Sequence, residues 1–433
     1  MLLHKKGNVA DLGNYRPVSL LSAFYKLFMR TVLLRIERTL DETIDRRQAG
    51  FRKKLSTTHH VFTLCQLIER SHEYNMPLHI CFVDYRKAFD SISFSSIWES
   101  LSATGVHPDI VRLLSSFYCT AQSFISVNES KVPVKIEKGV RQGCSLSPQL
   151  FNLVVNKVLL AMDWDPLGLN VNGTSVSWFA YADDIVLISP SERGLNRMLA
   201  DLVRESALVG LHINYDKTVA MSNAPAPPNI MVANHRINVV RFFNYLGVQI
   251  CIPLDFDTTL GQRISSAWNA FHKYRKIFGS RNVTIHQKSR LFKCVVTPCF
   301  TYGAETWSLT QSQRHRLEVE LRKMQRRILG ISIYDHWTKE RLSRVTKIPP
   351  INKAATYRKW NFARRLCTYD TASTAASVMN WRPYNNSRSR GRPRLRWRDE
   401  FRENLGERWQ RTARDDPLQW RQLCHRRWVD TTV

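Results

Sequence analysis

Val176-Ser177-Trp178-Phe179-Ala180-Tyr181-Ala182-Asp183-Asp184-Ile185-Val186-Leu187-Ile188 is two apolar runs joined at a pair of carboxylates. That pattern predicts a β-hairpin with the acidic pair at its turn. Upstream, Ile80-Cys81-Phe82-Val83 is nearly unbroken in apolarity and ends on Asp84, as a strand buried on both faces would. If both runs are to be covered they share a sheet, and the three carboxylates then meet. Taken singly, Asp84 reads as a strand-end cap and Asp183-Asp184 as an ordinary turn. Together they cannot all stay ionised in a dry site without cations, because like charges raise one another's pKa and desolvation adds to it. Magnesium, a hard ion that takes one or two carboxylates and completes its shell with phosphate oxygens and water, answers that need. Two such ions roughly 3.5–4 Å apart would serve an in-line phosphoryl transfer.

The flanking periodicities set this hairpin in a mixed framework. Leu27, Phe28, Val32, Leu33, Ile36 and Leu40 recur at three and four, and Val61, Leu64, Cys65, Leu67 and Ile68 repeat the signal, so two amphipathic helices precede the Asp84 strand. Ser96 and Glu99 have capping-box spacing for a helix that Gly105 stops, and Pro108 opens the next. Phe124 to Val127 and Val132 to Ile136 flank Asn128-Glu129-Ser130 as a hairpin. Ser147-Pro148 reads as an N-cap with proline behind it, before the stripe Phe151, Val154, Val155, Val158, Leu159, Met162. Leu195, Met198, Leu199, Leu202 and Val203 predict a further helix, and Leu211-His212-Ile213 a further strand. This order suits an antiparallel sheet backed by helices, of the ferredoxin-like α+β kind.

Residues 224–228 (Ala-Pro-Ala-Pro-Pro) form a spacer, and from about residue 256 the pattern turns helical. Leu317, Leu321, Met324 and Ile328 mark the core stripe of a helix ended by Gly330, with Arg314, Arg316, Arg322, Lys323, Arg326 and Arg327 on its other faces. A junction near 380 introduces a segment, 381–433, with fourteen Arg, no Lys and five of the twelve Trp.

In 433 residues, 43% hydrophobic, there is material for two or three packed domains. Lys and Arg number 64 against 36 Asp and Glu, a formal charge of +28, which calls for a polyanionic partner, nucleic acid before an anionic membrane. No apolar run is long enough to span a bilayer and no signal-peptide pattern opens the chain, so an intracellular protein is expected. The nine cysteines are scattered and odd in number, contain no CxxC pair, and predict core thiols in a reducing compartment and no zinc. Met1-Leu2-Leu3 reads as the last turn of a strand, as though the chain were a fragment of something longer.

Phe179 to Asp184 resembles the FxYADD signature of reverse transcriptases, and six further motifs stand around it in register over residues 14–250. Asn14 to Leu20 (NYRPVSL) and Gln48 to Arg52 (QAGFR) are similar to the first two. Phe82 to Asp90 (FVDYRKAFD) resembles motif A, Gly139 to Pro148 (GVRQGCSLSP) motif B, Gly210 to Lys217 the motif D region, and Phe243 to Gly247 (FNYLG) the primer grip of motif E. The combination, with a GRPRxRW tail, is most similar to non-LTR (LINE) retrotransposon enzymes of the RTE type, and no endonuclease signature is read in this sequence, so nicking is expected to come from elsewhere. Ser145 departs from the proline found in many LINE enzymes, which should alter the turn slightly and leave catalysis intact.

The resemblance implies an RNA-directed DNA polymerase with a right-hand fold: fingers, ferredoxin-like palm with an antiparallel sheet, helical thumb, and a mostly helical basic C-terminal region. The expected boundaries are fingers and palm 1–250, thumb 251–345 and Arg/Trp-rich region 346–433. It implies two Mg2+ ions, with Mn2+ as substitute, held by Asp84, Asp183 and the carbonyl of Tyr85, with Asp184 completing the cluster. It places Arg16, and Arg52 or Lys53, on the incoming deoxynucleoside triphosphate, an arginine fork being suited to phosphate. Phe89 would gate the sugar 2′-hydroxyl, a core phenylalanine being the rival reading. Gln142 and Gly143 would approach the nascent pair and template, Lys217 would protonate pyrophosphate, and Tyr245-Leu246-Gly247 would hold the primer. The implied partners are an RNA template and a DNA primer or target, at a nuclear insertion site or in a cytoplasmic ribonucleoprotein.

Beyond the core, Arg322 and Arg326 would track the duplex backbone, with a merely solvated helix face as the alternative. Arg390-Gly391-Arg392-Pro393 resembles an AT-hook core, while Trp397, Trp409, Trp420 and Trp428 are better read as packing internally than as stacking on bases. The competing functional reading is an inactive or truncated retrotransposon remnant that only binds nucleic acid; the presence of all three carboxylates speaks against it.

Overall fold

The apolar stripes and caps foreseen in the sequence build most of the elements of the computed structural model, which describes residues 1–4, 7–127, 130–368, 373–383, 388, 390–391 and 394–429. It divides into two compact units: residues 1–57, 77–170 and 174–240, and residues 58–76, 171–173 and 241–433. The helix Thr57–Glu73 belongs almost wholly to the second of these, the C-terminal unit.

In the first unit, Ser22 caps the helix Ala23–Thr43 by accepting the Tyr25 amide (3.1 Å), and Met29, Val32, Leu33, Ile36 and Leu40 are its buried face. Leu27, expected in that stripe, is instead 66% exposed. The sheet runs in the order Asn238–Val239, Val219–Ser222, His79–Val83, Asp184–Ser189, Trp178–Tyr181. His79–Val83 is central, paired on both sides and buried throughout, which is why its sequence is so apolar. Every pairing is antiparallel except the one at the Asn238–Val239 edge, which is parallel, so the sheet is mixed rather than antiparallel.

Three local expectations are corrected. The sheet strand is Val219–Ser222; Leu211-His212-Ile213 contributes only a single bridge, Ile213 to Tyr85. The helix Phe94–Ser102 is capped by Ser93, whose hydroxyl accepts the Ser96 amide (3.2 Å), three residues before the anticipated cap. Ser147 is the first residue of the helix Ser147–Leu160, not its cap. The strands Ser123–Val127 and Ser130–Val134 do pair as a hairpin, although Asn128 and Glu129 lie outside the described residues.

In the second unit a hairpin, Phe242–Tyr245 with Val248–Cys251, leads into the helices Phe256–Lys273, Ile285–Thr301 and Gln311–Leu329. Leu260, Phe271, Phe292, Val296, Leu317, Leu321, Met324 and Ile328 pack as their core, and Gly330 ends the last helix in the left-handed conformation (φ 70°). A second core gathers Trp360, Phe362, Trp397, Phe401, Trp409 and Trp420 around Phe62. The tail tryptophans therefore pack internally, as expected for Trp397, Trp409 and Trp420; the side chain of Trp428 lies outside the described residues. Among the described residues no helix is long and apolar enough to cross a membrane.

Candidate active site

Antiparallel register brings the acids together. Val83 pairs with Ile185 across the sheet, so the next step of the ladder sets Asp84 across from Asp184, and Asp183 lies in the bend between Tyr181 and Asp184. Asp184 keeps contact with solvent, yet partial burial and the neighbouring charges of Asp183 and Asp84 push its carboxyl up to about 6. Three carboxylates in mutual repulsion form a hard-oxygen donor set that suits a divalent cation. Among the described residues, however, no set of three or more His, Cys, Asp or Glu side chains stands gathered closely enough to hold a metal ion as it is.

The Asp84 end is tied to the loop that carries Lys217. The Asp84 amide donates to Thr218 Oγ1 (3.3 Å), and its carbonyl accepts from Asn214 N (2.7 Å). Arg86 N donates to His212 O (2.8 Å), completing the Tyr85–Ile213 bridge through the flanking residues, so the Tyr85 carbonyl takes no part in that ladder. The Tyr85 ring points into the core, its hydroxyl 2.7 Å from Ser206 Oγ, and burial raises its pKa. Lys217 Nζ is exposed, 4.0 Å from Asp84.

Phe89, on the short helix Ala88–Ser91, stacks on Phe151 (centroids 4.2 Å, 13° between planes) and meets the edge of Phe51 at 6.4 Å. It is half-buried, with one face given to the core. Gln142 Nε2 donates to Asp90 (2.7 Å) and the Gln142 carbonyl accepts from Ser19 N (2.9 Å), linking the NYRP segment to motifs A and B. Gly143 is exposed at φ 112°, and a Cβ there would press on the Ser19 carbonyl at 3.1 Å. Arg16 is exposed on the strand Tyr15–Pro17 and makes no ion pair among the described residues.

Arg52 is bonded within the chain. Its side chain is 6% exposed, and its guanidinium is spent on Asp41 (2.7 Å) and on the carbonyls of Asp41 (2.8 Å), Asp45 (2.6 Å) and Gln48 (3.2 Å). It buttresses a turn. Lys53 is exposed and paired with Glu37 at 2.7 Å.

Sequence reading passed over Gln48, although the QAGFR motif contained it. Fully buried, Gln48 accepts at Oε1 from Ala182 N (2.9 Å) and Gly50 N (3.0 Å), and donates from Nε2 to Ala182 O (3.3 Å). Nothing in the local sequence marks it, since Gln48 follows Arg46 and Arg47; its burial, and with it the need for partners, is visible only in the structure.

In the second unit, Tyr245 is 2% exposed with its hydroxyl 3.4 Å from His60 Nδ1, so this ring is packed in the core. The Leu246-Gly247 bend is accessible, and its carbonyls accept from Tyr302 (2.8 Å) and Arg263 (3.0 Å). On Gln311–Leu329, Arg314 pairs with Glu400, Arg316 with Asp257 and Lys323 with Glu320, while Arg327 lies over Trp268. Arg322 and Arg326 make no ion pair among the described residues. Arg390 is exposed at the rim of a cavity of about 500 Å3 that also meets Glu69, Glu73 and Asp255 and none of the three aspartates; Arg392 lies outside the described residues.

Comparison with known proteins bears on the same segment. A family model described as reverse transcriptase (RNA-dependent DNA polymerase) matches residues 3–250. A putative uncharacterized transposon-derived protein of Caenorhabditis elegans is 28% identical over 252 residues, 55% of this chain and 88% of that one. The Pol polyprotein from the type-1 retrotransposable element R2 of Popillia japonica is 25% identical over 77% of this chain and 47% of its own length. The RNA-directed DNA polymerase from mobile element jockey of Drosophila funebris is 25% identical over 77% of this chain and 37% of its own length. The chain thus spans less than half the length of these two retrotransposon proteins.

Proposed function

Because the chain belongs to the reverse transcriptase (RNA-dependent DNA polymerase) family, we propose that it is the polymerase of a non-LTR retrotransposon, extending a primer 3′-hydroxyl on an RNA template with deoxynucleoside triphosphates. The observation that carries this reading is the register that sets Asp84 across from Asp184 with Asp183 in the adjoining bend. Divalent cations, Mg2+ in the first place, would be held by Asp84, Asp183 and the Tyr85 carbonyl beside Asp184, and supply charge neutralisation for an in-line displacement at the nucleotide α-phosphate.

The other groups orient the reactants. Arg16, extended into solvent, offers a fork for triphosphate oxygens. Lys217, near Asp84, can donate a proton to the departing pyrophosphate. Phe89, fixed by its stack on Phe151, limits space at the sugar and so disfavours a 2′-hydroxyl by sterics. Gly143 lets backbone approach the template strand, Gln142 holds that loop to Asp90, and the Leu246-Gly247 bend serves the primer.

The purified chain should extend a DNA primer on a homopolymeric RNA template in Mg2+, and Asp183→Asn should reduce extension at least about a thousandfold while RNA binding persists. Template binding by the wild-type chain without any extension, in Mg2+ or Mn2+, would replace this reading with that of a nucleic-acid-binding remnant.

A further inference from the structure

We propose that Gln48 is a positioning residue for the acidic site, its buried side-chain amide holding the bend that presents Asp183 to Asp84. The inference rests on the polymerase reading for its consequence in catalysis, and on geometry for the clamp itself.

Ala182, one residue before Asp183, has φ 58°, a left-handed conformation that costs a residue with a Cβ and persists only where its surroundings enforce it. Gln48 supplies that enforcement from both sides of the Ala182 unit, taking its N–H and giving a hydrogen to its carbonyl. A single amide side chain can do both because it carries an acceptor and a donor on one rigid plane. The segment around Gln48 is itself laced to the strand: Ala49 N donates to Ala180 O and Ala180 N to Arg47 O, each at 2.9 Å.

Gly50 follows for a steric reason. A Cβ at this position would collide with the Ala182 amide nitrogen, so only glycine allows the two backbones to lie this close. The Gly50 carbonyl is held in turn by the Asn152 side chain, from the buried face of the helix Ser147–Leu160. Gln48, Gly50 and Asn152 thus hold the bend from behind, without any of them standing among the acids. They fix where the Asp183 carboxylate projects and, with it, how well the site gathers a cation.

The test measures metal binding directly as well as activity. Mn2+ binding to the full chain is read from the loss of the free-ion EPR signal, and primer extension on RNA is followed over a Mg2+ series. Gln48→Met keeps the volume and removes all three hydrogen bonds, and should weaken Mn2+ binding by about ten-fold, the usual scale for a lost outer-shell partner. The Mg2+ needed for half-maximal extension should rise similarly, with KM for deoxynucleotide and affinity for template RNA unchanged. Gln48→Glu keeps the acceptor for both amides and should recover most of the Mn2+ affinity. It also carries the test if Gln48→Met does not fold, with a loss of a few-fold expected for the missing donor.

A Gln48→Met protein with wild-type Mn2+ affinity and Mg2+ dependence overturns the clamp. So does a Gln48→Glu protein worse than Gln48→Met in every measurement, which would mark Gln48 as packing alone. If the wild type binds Mn2+ and extends no primer, the polymerase reading fails, and the clamp is judged on Mn2+ affinity.

Discussion

Asp184 and Glu400 are both carboxylates drawn part-way out of water, one in each unit, and their surroundings displace them in opposite directions. Burial lifts Asp184, and Asp183 and Asp84 lift it further, to about 6. Burial would lift Glu400 as well, but Lys359 (3.0 Å), Arg314 (3.1 Å) and the Trp360 indole N–H (2.9 Å) outweigh it and hold the carboxyl down at about 2. A carboxylate whose partners lie within the fold is a structural keystone. One whose neighbours repel it would, under the polymerase reading proposed above, be met by a cation from outside, and that contrast marks a candidate site apart from a scaffold without reference to motif.

The comparison can be broken most directly at Glu400. Glu400→Gln leaves buried Lys359 and half-buried Arg314 without their anion and should destabilise the C-terminal unit by about 3 kcal/mol, measured by urea denaturation with tryptophan fluorescence. The pH dependence has a definite sign. The folded carboxyl sits at about 2, below an unfolded value of about 4.3. Its contribution is therefore complete above the unfolded value and disappears as pH falls from there towards 2. The Glu400→Gln protein should lose less stability over that window; equal losses would mean that Glu400 is no keystone.

Asp184→Asn should act in the opposite sense. In the absence of divalent ions it relieves repulsion and should stabilise the N-terminal unit by about 1 kcal/mol, read as a rise in melting temperature. Mg2+ should raise the melting temperature of the wild type more than that of the variant. Destabilisation by the substitution would put Asp184 in the structural class with Glu400.

The smallest effects belong to surface arginines, where the same distinction applies along one helix. Arg322→Ala or Arg326→Ala should lower the slope of log affinity against log salt for an RNA–DNA duplex by about 1 each, with stability unchanged. Arg314→Ala should cost stability through Glu400. An unchanged salt slope would return Arg322 and Arg326 to the class of solvated charges.

Removing the tail at residue 380 is a poor probe of nucleic-acid binding, because Trp397, Phe401, Trp409 and Trp420 would leave Phe62 and Trp360 uncovered. Arg396, from the GRPRLRW run, pairs with Glu73, and the Trp397 amide donates to Glu69 (3.0 Å), so part of the run suggestive of a DNA arm holds the tail to the helix Thr57–Glu73. Composition could count those arginines; it could not say which had an acid waiting within the chain.

What the sequence determined alone was local and periodic. The apolar runs around Asp183-Asp184 and before Asp84 required strands, covering those strands required one sheet, and a sheet that pairs them must bring the acids to one end. Helix stripes, the glycine stop at Gly330 and the internal packing of Trp397, Trp409 and Trp420 were legible for the same reason: each follows from spacing or from the cost of exposing a large ring. Tertiary structure alone decided which polar groups were already spoken for. The side chains of Arg52 and Tyr245, read as ligand contacts, have hydrogen-bond partners within the chain, while Gln48 drew no notice and bonds to the bend beside the acids. A hydrogen bond between positions 48 and 182 depends on two distant backbones meeting, and no pattern within either segment contains that distance.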